Sequence, residues 1–241
     1  MAVGRKGGKA VSRSRALLGL GCLLWGRGLA AQVGHEPSKS PYRDIPRGSS
    51  FTLMAGYLGG DGGSLGIGPR HGMTYGVLYD LRTSGFVTGG LALSYMDLER
   101  DVLDADAPQA TRRSGPFKQS VINAEAVLQF NLTGGKTWHH IAPFFSGGVG
   151  YALGSDVKSD TSGFQFGNRF TVSPGFGLRY FVGSHLHLRF EARRAFWKLK
   201  YPSSYLEDPA NDPNGSPVIT NGKTSDWMSS WWMIGGLSFS F

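Results

Sequence analysis

In the stretch Trp231-Trp232-Met233-Ile234-Gly235-Gly236-Leu237-Ser238-Phe239-Ser240-Phe241, five apolar side chains share one face. They are Trp231, Met233, Leu237, Phe239 and Phe241, while Ser238 and Ser240 fall on the other face. Period-two alternation of this kind marks a β-strand with one apolar and one polar side. It runs through Phe241, where a soluble domain would usually have a frayed polar tail.

The opposite end of the chain points the same way. Arg5, Lys6, Lys9, Arg13 and Arg15 form a basic leader without an acid, followed by the apolar run Ala16 to Trp25 and the small-x-small triplet Gly28-Leu29-Ala30. This pattern predicts a secretory signal peptide over residues 1–30. The apolar run is too short for a membrane helix, which needs about 20 residues. No other stretch comes closer, so any membrane span has to be built from strands. Gly19-Leu20-Gly21-Cys22 lacks the usual Leu of a lipoprotein signal, and the only cysteine lies in this segment, so the mature chain holds no disulfide.

The net charge of +8 is concentrated in that leader. Six of the 25 Lys and Arg lie in residues 1–30 and no Asp or Glu does, which leaves 19 basic and 17 acidic residues beyond it. Nucleic-acid binding is therefore not indicated. Glycine (37 residues) and aromatics (30) are abundant, charge is low and mean hydropathy is near neutral. A transmembrane barrel has that average, because its lipid-facing and lumen-facing residues cancel.

Residues 31–48, with three prolines and no periodicity, are expected to be a periplasmic lead-in to a barrel domain over 49–241. Eight strand-like segments follow: Ser50–Leu58, Met73–Arg82, Phe86–Met96, Phe117–Leu132, Ala142–Leu153, Gln165–Phe181, His185–Phe196 and one ending at Phe241. The links between them alternate strictly. Residues 59–72, 97–116, 154–164 and 197–224 are long; residues 83–85, 133–137 and 182–184 are short. Short periplasmic turns and long extracellular loops in an eight-stranded antiparallel up-and-down transmembrane β-barrel produce this pattern, with both termini periplasmic. The polar face is rich in Gly, Ser and Thr with charges of both signs, which suits a narrow filled lumen better than a solvent face. Tyr57, Tyr95, Tyr151, Tyr180, Trp197, Trp227 and Trp231 fall towards strand ends, as interfacial girdles require.

Three stretches carry a resemblance. Ala142-Pro143-Phe144-Phe145-Ser146-Gly147-Gly148-Val149-Gly150-Tyr151 resembles a strand of the OmpA-like and OmpW-like small outer-membrane barrels. Pro174-Gly175-Phe176-Gly177-Leu178-Arg179-Tyr180 with Leu186-His187-Leu188-Arg189-Phe190-Glu191-Ala192-Arg193 resembles a hairpin of the same family. The segment ending at Phe241 resembles the family's closing strand, in which Trp231, Met233, Leu237, Phe239 and Phe241 would form the signal read by the barrel-assembly machinery. The resemblance covers about the last 100 residues. It implies an outer-membrane anchor in contact with lipid and lipopolysaccharide. It implies no single activity, because such barrels include anchors, adhesins, small-ligand conduits and lipid-modifying enzymes.

The candidate chemistry lies on the polar face. Glu125, Arg169, Arg179, His187, Arg189, Glu191 and Arg193 are expected to form a charge network filling the lumen, since eight strands leave room for side chains and little else. Inward Leu58, Leu78, Val121 and Val127 keep open an OmpW-like conduit for small hydrophobic molecules. Ser184, His185, His187 and Glu191 supply residue types of a PagL-like lipid-modifying enzyme, but Ser184 and His185 sit at a predicted periplasmic turn. His139 and His140 would point to opposite faces of a strand. Asp101, Asp104, Asp106, Asp208 and Asp212 lack calcium-loop spacing and read as solvated loop charge. The expectation is a structural or surface-interaction protein without catalysis, cofactor or metal.

Overall fold

The computed structural model describes residues 40–241 other than positions 46, 159, 161 and 213. The signal peptide expected over residues 1–30, and the lead-in up to residue 39, lie outside the described residues. Ten strands form: β1 (Tyr42–Asp44), β2 (Ser49–Gly60), β3 (His71–Arg82), β4 (Val87–Leu103), β5 (Arg113–Asn131), β6 (Lys136–Trp138), β7 (Ile141–Gly154), β8 (Asn168–Phe181), β9 (Leu186–Lys200) and β10 (Ser225–Ser240). Eight of them, all but β1 and β6, pair antiparallel in sequence order. β10 returns to β2, with Phe239 opposite Phe51, and closes the barrel. Closure leaves the eight-stranded wall without a free edge, which is the condition for a strand-built protein to sit in lipid.

Alternation fixes which way each residue faces. Leu91, Phe145, Val149, Phe190, Met233 and Phe239 are each about half exposed or more and point outward. Thr52, Gln129, Ser173, Arg189, Arg193 and Ser238 are fully buried and point inward. An apolar outer wall around buried charged and polar side chains is the inverse of a soluble barrel. Trp231, Met233, Leu237 and Phe239 of β10, and Phe241 just after it, all lie on the outer surface, while Trp232, Ile234, Ser238 and Ser240 face in. Trp197 departs from its expected place in the aromatic girdle. It is fully buried and donates its indole N–H to Thr171 Oγ1 at 2.9 Å. The physical reason is parity: β9 has Leu186, Leu188 and Phe190 outside, so odd-numbered Trp197 must face in.

The strands reach further than hydrophobic alternation predicts. β4 continues past Met96 to Leu103 and pairs with β5 from Arg113. Beyond the apolar belt, Asp97 and Glu99 stay on the outer side while Leu98 and Arg100 stay buried. The ladder continues although the outer face has become polar. Asp101 accordingly lies in a strand, ion-paired to Arg70 and Arg113 at 2.6 and 3.0 Å, and is not solvated loop charge. At the other end, residues expected to be aperiodic form an extra ladder, with Tyr42 opposite Trp138 and Asp44 opposite Lys136. Three-residue strands are too short to show alternation. His139 and His140 are not in a strand; both have left-handed φ, 47° and 67°, in the turn between β6 and β7.

Candidate functional site

The lumen is filled in two layers. The lower one, towards the short turns, is ionic. β9 supplies three consecutive inward side chains, Arg189, Glu191 and Arg193; β3 supplies Asp80; β5 supplies Glu125 and Gln129. Arg189 Nε and Nη2 donate to Glu191 Oε2 at 2.9 and 2.7 Å, and its Nη1 reaches Asp80 Oδ2 at 3.2 Å and Gln129 Oε1 at 3.0 Å. Arg193 Nε donates to Glu191 Oε1 at 2.7 Å, Nη2 to Glu191 Oε2 at 3.2 Å, and Nη1 to Glu125 Oε2 at 3.0 Å. Ser146 also donates to Glu191, and Ser173 donates to Glu125 at 2.6 Å. Glu191 thus takes hydrogen bonds from five donors, and every charged side chain in this set is fully enclosed. A carboxylate so surrounded has its accepting positions filled by protein and offers little to a substrate or a mobile proton.

Glycine makes the room. A Cβ at Gly175 would lie 2.7 Å from Arg193 Cγ, and one at Gly177 would lie 2.6 Å from Phe144 Cζ. Both glycines face the lumen from β8 and let the large side chains of β9 and β7 cross the narrow interior.

Of the expected network, the structure brings Glu125, Arg189, Glu191 and Arg193 together. Arg179 lies beneath them at the short-turn end. It donates to Asn131 Oδ1 and packs over the rings of Phe144 and Phe181 at 5.7 and 5.9 Å. His187 stacks on Phe181 at 4.8 Å and meets Ser240 Oγ at 3.3 Å, outside any ion pair. Arg169 does not join. It sits at the far mouth, donating to the Gln165 carbonyl at 2.9 Å, because it is the second residue of β8, at the long-loop end of the strand. Asp80 was missed by sequence reasoning, although Tyr79 and Leu81 flank it at outward positions and alternation alone turns it inward.

The upper layer is apolar. Leu58, Leu78, Met96, Leu98, Val121, Trp197, Leu199, Met228 and Trp232 belong to one buried cluster with Ile67, Phe164, Phe166, Tyr205 and Ile219 from the long loops, and Val127, between Glu125 and Gln129 on β5, extends that cluster down to the ionic layer. Phe166 meets Trp197 edge-on at 5.5 Å. Trp232 donates its N–H to Thr74 at 2.9 Å, so neither buried indole is unsatisfied. The four inward apolar residues that kept a conduit open, Leu58, Leu78, Val121 and Val127, are packed into this cluster. The loops close over it. Tyr205, on a single 3-10 turn (Ser203–Leu206), donates to the Leu103 carbonyl at 2.8 Å, and burial pushes its pKa up to about 12. Burial also opposes ionisation of Asp160, but hydrogen bonds from Ser162 and Arg100 outweigh it and hold the carboxyl below its ordinary value.

Ser184 Oγ lies 2.9 Å from His185 Nδ1 at an exposed short turn. Glu191 is committed to the two arginines of the lumen and His187 to Phe181 and Ser240. The four residues do not meet as one constellation.

No family model and no curated protein matches the sequence. Among solved structures, the chain is similar to the outer membrane protein OprG from Pseudomonas aeruginosa, at 12% identity over 82% of this chain and 98% of that chain, with a TM-score of 0.51. It is also similar to Neisserial surface protein A, at 13% identity over 84% and 98% of the two chains and a TM-score of 0.47. The N-terminal β-barrel domain of Pseudomonas aeruginosa OprF gives 15% identity over 81% and 98%, with a TM-score of 0.43. The likeness to OprG shows the fold, a small outer-membrane barrel.

Proposed function

We propose that this protein is an integral outer-membrane barrel with a structural or surface-interaction role and no catalysis. The observation that carries this reading is the combination of an apolar outer belt with a lumen filled by an ionic layer below and an apolar layer above. The belt suits hydrocarbon. The filled lumen leaves the outer wall and the long loops as the surfaces available to partners. Passage of a solute would require parting both layers, so a luminal conduit is the weaker alternative. In this reading Ser49 and Phe241, hydrogen-bonded across the closing seam at 3.0 Å, lie on the periplasmic side with the short turns. The long loops face outward among lipid and lipopolysaccharide. The outward row Trp231, Met233, Leu237, Phe239 and Phe241 is where the assembly machinery would take hold of β10.

The test is fractionation of expressing cells. The protein should enter the outer-membrane fraction without residues 1–30, migrate faster on gels before boiling than after, and show no steady conductance in planar bilayers. Recovery of folded protein from the soluble periplasm would overturn the membrane reading, and stable channel currents would restore the conduit.

A further inference from the structure

The outer wall is not electrically uniform at the long-loop end. On β3, β4 and β5 the outward cation lies beside carboxylates: Lys118 meets Asp97 at 3.7 Å, and the neighbouring Glu99 meets the His71 ring at 3.2 Å. On β9 the outward face changes from Leu186, Leu188, Phe190 and Ala192 to Arg194, Phe196, Lys198 and Lys200, three cations with one ring among them. Among the described residues these three cations form no ion pair. On the neighbouring β10, Asp226 has inward parity and accepts from the Ser64 N–H at 2.7 Å.

The β10 register aligns the cations with two exposed tryptophans. Arg194 is opposite Trp231 and Lys198 is opposite Trp227. The Arg194 guanidinium lies 5.1 Å over the Trp231 ring and donates to Ser229 Oγ at 2.7 Å. It is therefore held in one orientation, with its remaining donors free to meet an acceptor. Tryptophan prefers headgroup depth, which puts these cations just above the acyl boundary. A stretch of wall that is apolar below, aromatic at the boundary and cationic above matches a lipid with acyl chains and a phosphorylated headgroup.

We infer that Arg194, Lys198 and Lys200, framed by Trp227 and Trp231, bind the phosphate groups of an anionic outer-leaflet glycolipid of the lipid A type. The inference rests on the membrane reading above and deepens it. Arg194 gives an oriented fork that phosphate oxygens can accept from, and the two lysines add point charges along the strand. The paired charges of β3, β4 and β5 make no such demand, so the lipid is held on one side of the barrel.

The experiment uses the full chain in phosphatidylcholine nanodiscs. Discs containing lipid A are compared with discs containing the dephosphorylated lipid and with discs exposed to inorganic phosphate, and retained lipid is counted by native mass spectrometry. Wild type should retain lipid A and not the dephosphorylated form, and millimolar phosphate should not displace it. The triple variant Arg194→Gln, Lys198→Gln, Lys200→Gln should bind lipid A on the order of 100-fold more weakly, and Lys198→Gln alone about fivefold more weakly. Lys118→Gln should match wild type. Equal retention by wild type and the triple variant, retention of the dephosphorylated lipid, or displacement by inorganic phosphate would overturn the site. A chain that stays folded in buffer and refuses the discs would overturn the membrane reading itself.

Discussion

The two layers of the lumen solve the same problem, filling a narrow barrel, with opposite chemistry. The lower layer consists of strand side chains only, each held at its depth by the ladder: Asp80, Glu125, Gln129, Arg189, Glu191 and Arg193. Its contacts are directional and mutually dependent, and removing one member leaves charges stranded in a low-dielectric interior. The upper layer draws on strands and loops alike: Ile67, Phe164, Tyr205 and Ile219 share one buried cluster with Trp197, Trp232 and Met228, and Phe166 meets Trp197 edge-on. Its contacts are non-directional and graded. The barrel is thus bolted near the short-turn end by ions and sealed near the long-loop end by packing, and the order of the long loops depends on the seal.

The largest expected effect breaks the ionic layer. Glu191→Ala leaves Arg189 and Arg193 without their shared acceptor and should cost about 3–5 kcal/mol, read as a lowered urea midpoint in detergent or lipid. An unchanged midpoint would mean that water reaches the layer and solvates the arginines. The apolar layer offers the contrast. Leu58→Ala should cost about 2–5 kcal/mol, and much of that loss should be recovered by Leu58→Met, since packing tolerates a change of shape better than a change of charge. No comparable substitute exists for Glu191. If Leu58→Met were as damaging as Leu58→Ala, the upper layer would be as exacting as the lower one.

The loop seal can be tested without touching the barrel wall. Asp160 is favoured as the carboxylate in the folded chain, so its contribution is complete above its ordinary value of 3.8 and is lost as pH falls through the lower native value. Amide exchange at Ser162 and Phe164, corrected for intrinsic rates, should stay slow from neutral pH down to about pH 4 and quicken below it. Asp160→Asn should exchange fast at neutral pH already. Slow exchange in that variant would show that Asp160 does not hold the loop. The smallest effect is Tyr205→Phe, which removes one hydrogen bond to the Leu103 carbonyl and should cost about 0.5–1.5 kcal/mol. It should raise protease sensitivity within residues 201–224 and leave the barrel's urea midpoint close to wild type. A midpoint shift as large as that of Glu191→Ala would mean that loop and barrel unfold as one unit.

Much of the architecture is legible along the chain. Alternation from Trp231 to Phe241, repeated in seven earlier segments and punctuated by short and long links, determines eight strands, their order and the face of each residue. It even contains facts that are easily passed over: parity alone places Asp80 and Trp197 inside. What alternation cannot supply is depth. Arg169 and Arg193 both face inward, yet one lies at the mouth and the other at the centre, because depth depends on how far each strand is shifted against its neighbours when the barrel closes. Nor can a polar segment announce that its ladder continues, as β4 does through Asp97 and Glu99. The sequence by itself therefore determined the fold class and the two faces, since both follow from a local period of two residues. Only the tertiary structure decided which charges meet. Asp80 and Arg189 stand 109 positions apart, and their contact arises from closure and shear of the whole barrel, which no local pattern encodes.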